Sequence, residues 1–172
     1  NLPNYPLDAV LAKAPDVITY VEHGVCDLGI VGKDTILEKG GSFYEVLDLG
    51  FGKCRFALAV KQGSDFYGTY KTRRVASKYP EVTRAFFARK GMDVDIIKIE
   101  GSVELAPILN LTDAIVDIVE TGATLKANGL VPIEDVAPVS ARLIVNTASM
   151  KLYKDQIADF IARCEGELEK RK

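Results

Sequence analysis

Residues 113–125, Asp-Ala-Ile-Val-Asp-Ile-Val-Glu-Thr-Gly-Ala-Thr-Leu, constrain this chain more than any other stretch. Ala114 to Val119 is an apolar run of strand length, interrupted only by Asp117. Glu120-Thr121-Gly122 ends it, and Ala123 to Asn128 reads as a short helix closed by Gly129. So short a connection forces the helix back against the sheet that holds the strand, which is the building unit of an α/β fold.

The same alternation recurs along the chain. Ala9 to Ala12 reads as a strand, Val17 to His23 as a helix opened by Pro15-Asp16, and Leu28 to Val31 as a buried strand ending in Gly32-Lys33-Asp34. Thr35 to Lys39 follows as a helix, then strands over Glu45 to Leu49 and Arg55 to Val60. Gly63 to Thr72 is polar, tyrosine-rich and aperiodic, and reads as a crossing segment. Beyond it come a strand from Arg74 to Ala76, a helix from Pro80 to Lys90 and a strand from Val94 to Ile99. A helix over Val103 to Leu109 precedes the 113–125 unit. Val131 to Ile133 and Arg142 to Val145 are further strands. Lys154 to Lys170 has Ile157, Phe160, Ile161, Cys164 and Leu168 at helical spacing. We expect an α/β chain of two lobes. Residues 1–62 with 141–172 form the first lobe, 73–140 the second, and 63–72 the crossing, with a ligand cleft between the lobes.

A strand that ends in a small-residue turn and opens a helix aims unpaired backbone N–H groups at one point, where the helix dipole favours an anion. Thr121 and Thr124 add hydroxyl donors, and Gly122 permits close approach to the backbone. Asp117 and Glu120 suit a ligand that carries hydroxyl groups or magnesium as well as phosphate. Taken alone, Thr-Gly is as compatible with a plain turn and Thr121 with a helix cap.

Other chemistries lack residues. The single histidine, His23, would have to carry any Ser-His-Asp or Cys-His mechanism, and its place beside Glu22 suits a surface imidazole. Cys26, Cys54 and Cys164 are few, odd in number and far apart, which fits a reducing cytoplasm rather than a disulfide framework. No CxxC or HExxH pattern offers a metal site. A net charge of −2, spread evenly over 172 residues, argues against a nucleic-acid groove. No apolar run reaches the roughly 18 residues of a membrane span, and residues 1–8 resemble no targeting segment.

Six motifs occur in one order: Asp16-Val-Ile-Thr-Tyr-Val-Glu-His-Gly, Asp27-Leu-Gly-Ile-Val-Gly-Lys-Asp, Asp48-Leu-Gly-Phe-Gly-Lys-Cys-Arg, Arg74-Val-Ala-Ser-Lys-Tyr-Pro, Gly101-Ser-Val-Glu-Leu-Ala-Pro and Asp113 to Leu125. Together, from about Ala9 to Leu168, they resemble the catalytic subunit of ATP phosphoribosyltransferase, short form. The resemblance implies a two-lobed fold like that of type II periplasmic binding proteins. It implies transfer of phosphoribosyl from phosphoribosyl pyrophosphate to N1 of ATP, the first step of histidine biosynthesis, with Mg2+ carried by the substrates and no metal ligands of the protein's own. Carried over by motif, Thr121, Gly122, Ala123 and Thr124 hold the 5-phosphate, and Asp117 meets the ribose hydroxyls. Asp117 and Glu104 form the catalytic pair of acids, and Tyr79, Lys53 and Arg55 serve the nucleotide. More ordinary roles compete: Glu104 at a helix N-terminus, Tyr79 in the core, Lys53 and Arg55 on a solvated edge.

Against the family pattern, a strand and a basic loop that normally precede the Ala9 region are missing, and one helix ends the chain. The resemblance to the short form therefore implies a separate regulatory subunit resembling histidyl-tRNA synthetase, and a hetero-oligomer. The rival from another class is a small-anion binding or effector-sensing module of the same fold. A type I phosphoribosyltransferase would show paired acids before the Thr-Gly turn, whereas Asp117 is followed by Ile118.

Overall fold

The computed structural model describes residues 7–68 and 71–170. The element order is α1 (Ala14–Glu22), β1 (Leu28–Gly32), α2 (Lys33–Lys39), β2 (Phe43–Asp48), β3 (Cys54–Lys61), β4 (Arg73–Ser77), α3 (Pro80–Arg89), β5 (Val94–Lys98), α4 (Leu105–Ile108), β6 (Ala114–Val119), α5 (Ala123–Ala127), β7 (Leu130–Val139), β8 (Ala141–Asn146), α6 (Ser149–Leu152) and α7 (Lys154–Glu169). The chain divides into two units. One runs to Leu49 and resumes at Ala141, and the other is the continuous stretch Gly50–Ser140.

The continuous unit is built on a five-stranded sheet of order β5-β4-β6-β3-β7. Strands β5, β4 and β6 are parallel, while β3 runs antiparallel to both β6 and β7. Strand alternation sends Phe56, Leu58 and Val60 of β3 to one face, where they pack with Val116, Val75 and the α3 residues Val82, Phe86 and Phe87. Ala57 and Ala59 point to the other face and meet Ile115, Val119, Ala106 of α4 and Leu125 of α5. Strand β7 carries Pro132 and Pro138, which a central strand would not tolerate; it lies at the sheet edge.

The other unit has a three-stranded antiparallel sheet of order β1-β8-β2. Ile18 and Val21 of α1 close one face over Val31 and Ile144. Gly29 lets α1 approach, since a Cβ there would stand 2.8 Å from side-chain carbons of Val17 and Val21. Asn146 ties the unit together: its Nδ2 donates to Val21 O at 2.7 Å, and its Oδ1 accepts from Ala148 N and Ser149 N, each at 2.9 Å. In α7, Ile157 is buried, while Phe160, Ile161, Cys164 and Leu168 stay partly exposed.

The structure departs from the sequence expectations at several places. Ala9 to Ala12 is no strand: Val10 and Leu11 are exposed, and no described strand pairs with them. Gly32-Lys33-Asp34 is no free turn, because Gly32 ends β1 and Lys33 opens α2 directly. The helix expected over Val103 to Leu109 shrinks to Leu105–Ile108, where Pro107 supplies no N–H. The first change of unit falls at Leu49/Gly50 and not in segment 63–72, because β3 takes its hydrogen bonds from β6 and β7.

Candidate active site

In a parallel α/β sheet the carboxyl ends of the strands all open on one edge, and ligands gather there. In the continuous unit that edge carries Lys78 and Tyr79 after β4, Ile99 to Glu104 after β5, and Glu120 to Thr124 after β6. Because β3 runs the other way, its beginning lies at the same edge, with Arg55 paired to Val119 and Lys53 just before the strand. Residues scattered from 53 to 124 in the sequence thus meet at one end of one sheet.

The turn after β6 leads directly from strand to helix, as its sequence suggested. Gly122 adopts φ +77°, a left-handed conformation that glycine takes without strain. Ala123 N–H donates to Thr121 Oγ1 at 3.3 Å, and Lys126 N–H donates to Gly122 O, so α5 begins directly after the glycine. Thr121, Ala123 and Thr124 are exposed.

Asp117 lies on β6 opposite Ala57 of β3. Burial raises the Asp117 carboxyl above its ordinary value; the nearby Glu104 adds to the rise, while the bond from Ile118 N–H at 2.8 Å and the Lys78 ammonium oppose it. Asp117 and Glu104 are therefore close enough to sense each other, and both are only partly exposed. Glu100 is held below its ordinary value by Lys98, bonded at 2.7 Å, with Lys78 contributing. Among the described residues no group of three His, Cys, Asp or Glu could hold a metal ion.

Two expected nucleotide contacts are engaged elsewhere. Tyr79 packs edge-on against Phe56, with ring centroids 4.9 Å apart, in the core cluster on the face opposite Ala57 and Ile115. Its N–H donates to Ser77 Oγ at 2.9 Å, and its carbonyl accepts from Thr83 Oγ1 at 2.8 Å, which fixes the start of α3. Arg55 pairs through Nε with Asp135 of β7 at 2.7 Å, leaving the other donors of its fork for an anion. Lys53 is exposed. Sequence reasoning missed Lys78. The signal was available: Lys78 follows the apolar run Val75-Ala76 and precedes Pro80, so it stands at the carboxyl end of a strand.

The profile of the family described as ATP phosphoribosyltransferase matches residues 13–166. An ATP phosphoribosyltransferase of Clostridium kluyveri is 61% identical over 162 residues, 94% of this chain and 74% of the relative. One from Clostridium acetobutylicum is 61% identical over 164 residues, 95% of this chain and 76% of the relative. Among solved structures, the ATP phosphoribosyl transferase (HisG:HisZ) complex from Thermotoga maritima superposes with a TM-score of 0.82 at 35% identity, over 92% of this chain and 78% of that one. The periplasmic aliphatic sulphonate binding protein SsuA from Escherichia coli superposes with a TM-score of 0.62 at 13% identity, over 90% of this chain and 59% of that one, a likeness of fold alone. The fold is thus α/β and periplasmic-binding-protein-like, as the sequence implied.

Proposed function

The chain belongs to the ATP phosphoribosyltransferase family, and from that premise we propose how its residues transfer phosphoribosyl from phosphoribosyl pyrophosphate to N1 of ATP. The products are phosphoribosyl-ATP and pyrophosphate, the first step of histidine biosynthesis, carried out in the cytoplasm. The observation that carries this reading is the convergence of Asp117, Glu104 and the Thr121–Thr124 turn on one sheet edge, with Gly122 in the left-handed conformation.

The adenine N1 lone pair forms the new bond to the ribose C1, and the C1–O bond to pyrophosphate breaks, its electrons leaving with the pyrophosphate. N1 is already a nucleophile, so no strong base is needed. The protein positions two polyanions and stabilises the charge that develops between them. Backbone N–H groups at Gly122, Ala123 and Thr124, with the hydroxyls of Thr121 and Thr124, receive the 5-phosphate. Asp117 accepts from the ribose hydroxyls, and Glu104 shares that site. Lys53 and Arg55 meet the nucleotide phosphates. Tyr79 acts from the core side by holding β4 and α3 in place. Magnesium, carried in by the substrates, would help to neutralise the leaving pyrophosphate.

We assign the chain a regulatory partner, on the ground that the Thermotoga maritima relative was solved as a HisG:HisZ complex. Full-length protein mixed with ATP, phosphoribosyl pyrophosphate and magnesium, with and without that partner, tests both assignments by adduct absorbance. Turnover that the partner increases and makes histidine-sensitive is expected. No adduct under either condition would leave the non-catalytic anion-binding alternative. Histidine inhibition of the lone chain would overturn the partner assignment.

A further inference from the structure

We propose that Lys78 is a positioning residue for the sugar site, standing beside Asp117 at the end of the neighbouring parallel strand and holding its carboxyl ionised. The proposal rests on the assignment of Asp117 to the ribose. Its geometry comes from the strand register. Ala76 of β4 is aligned with Ile115 of β6, and both side chains lie on the face that packs against α4 and α5. The last aligned pair is Ser77 and Val116, and the next residues are Lys78, at the bend that ends β4, and Asp117, still within β6. Ser77 Oγ donates to Val116 O at 2.6 Å, which ties the ends of the two strands together just before Lys78 and Asp117.

The other charges at this edge are differently engaged, and Lys53 is exposed just before β3. Glu104, from the start of α4, repels its carboxylate. Arg55, from β3, is paired with Asp135, and Lys98, the last residue of β5, with Glu100. Ile118 N–H supplies one hydrogen bond. Lys78 opposes burial and the Glu104 charge at Asp117, and Glu100 senses it as well. A carboxylate offers two accepting oxygens to sugar hydroxyls, whereas protonation turns one of them into a donor.

The test uses the full-length chain as parent, K78M, K78R and D117N. Carbon-13 NMR of the side-chain carboxyls, with the Asp117 resonance assigned by its loss in D117N, follows the titration directly. In K78M the Asp117 carboxyl is expected to titrate higher by about half a pH unit, as suits an exposed cation at strand spacing, and the difference shrinks in high salt. K78R restores the parent value. In the assay with the partner, the acid limb of kcat/KM for phosphoribosyl pyrophosphate moves by the same amount, while the alkaline plateau is kept. An Asp117 carboxyl that titrates alike in K78M and the parent would overturn the proposal. So would a pH-independent loss of kcat/KM in K78M, which would make Lys78 a direct substrate contact. If D117N binds phosphoribosyl pyrophosphate as well as the parent, it is the assignment of Asp117 to the sugar that fails, and the carboxyl titration still reports the coupling by itself.

Discussion

Replacing Gly122 by alanine separates backbone strain from ligand approach, because the same helix offers a matched control. Gly122 precedes α5 at φ +77°, and Gly129 follows it at φ +67°. A Cβ on Gly122 would have Val119 Cγ1 as its nearest neighbour, at an ordinary 3.8 Å, and a Cβ on Gly129 would meet nothing within 4 Å. Neither substitution creates a clash within the protein. Each pays only for holding an L-residue in the left-handed region, a cost of about 1 kcal/mol after the gain from a stiffer unfolded chain. Urea unfolding should therefore show Gly122→Ala and Gly129→Ala destabilised alike. Ligand binding should not. A methyl group on Gly122 displaces the phosphate from at least one backbone donor, and a hydrogen bond to a charged partner is worth about 2 kcal/mol, or roughly 30-fold in affinity. Calorimetric titration with phosphoribosyl pyrophosphate should show that loss in Gly122→Ala and near-parent affinity in Gly129→Ala. Equal affinities in the two variants would refute the phosphate assignment, and unequal stabilities would refute the strain argument beneath it.

Asp117→Asn should be more stable than the parent at neutral pH. Burial lifts the folded carboxyl above its ordinary value, so the folded state holds the proton more tightly, and stability falls as pH rises from the ordinary value through the folded one; thermal melts that converge for the two proteins in acid would show it, and a variant less stable at neutral pH would contradict it. Asn146→Leu strands Ala148 N and Ser149 N and leaves Val21 O with only the Gly24 N–H, and should cost about 2–4 kcal/mol in urea unfolding; a loss under 1 kcal/mol would mean the stranded groups find other partners. Phe56→Ala empties the centre of the cluster holding Tyr79 and should cost about 3–4 kcal/mol, with weakened catalysis only as far as α3 loosens. Breaking the exposed Arg55–Asp135 pair by Asp135→Asn should change stability by less than about 1 kcal/mol, which the same unfolding assay measures.

Local patterns were legible where a segment's own residues decide its structure. Ala114 to Val119 is a strand because its apolar run is bounded by turn residues at both ends, and Gly122 signals the left-handed turn by its type. Pairing was not legible. Nothing in Cys54 to Lys61 says that its neighbours are β6 and β7, so its unit was misjudged. Strand β7 was seen only over Val131 to Ile133, yet it reaches Val139 through Glu134, Asp135 and Pro138, because β3 supplies the hydrogen bonds that its own composition does not advertise. In the site, the turn between β6 and α5 could be read from Glu120-Thr121-Gly122. The link between Lys78 and Asp117 could not, since it exists only once two parallel strands are in register.

The insertion of one unit within the chain of the other sets an order of folding. Strands β1 and β2 are synthesised before Gly50–Ser140, and β8, which pairs with both, is synthesised after it. The sheet of the outer unit therefore has to close a very long loop if the intervening chain is unstructured, with the entropy that such closure costs. Once the inner unit has folded, its entry and exit strands are neighbours, with Cys54 paired to Val139, and the loop to be closed shrinks to a few residues on either side. Refolding should accordingly show protection of amides in β3 and β6 before those in β1 and β8, and substitutions that slow the inner unit should delay the outer sheet as well.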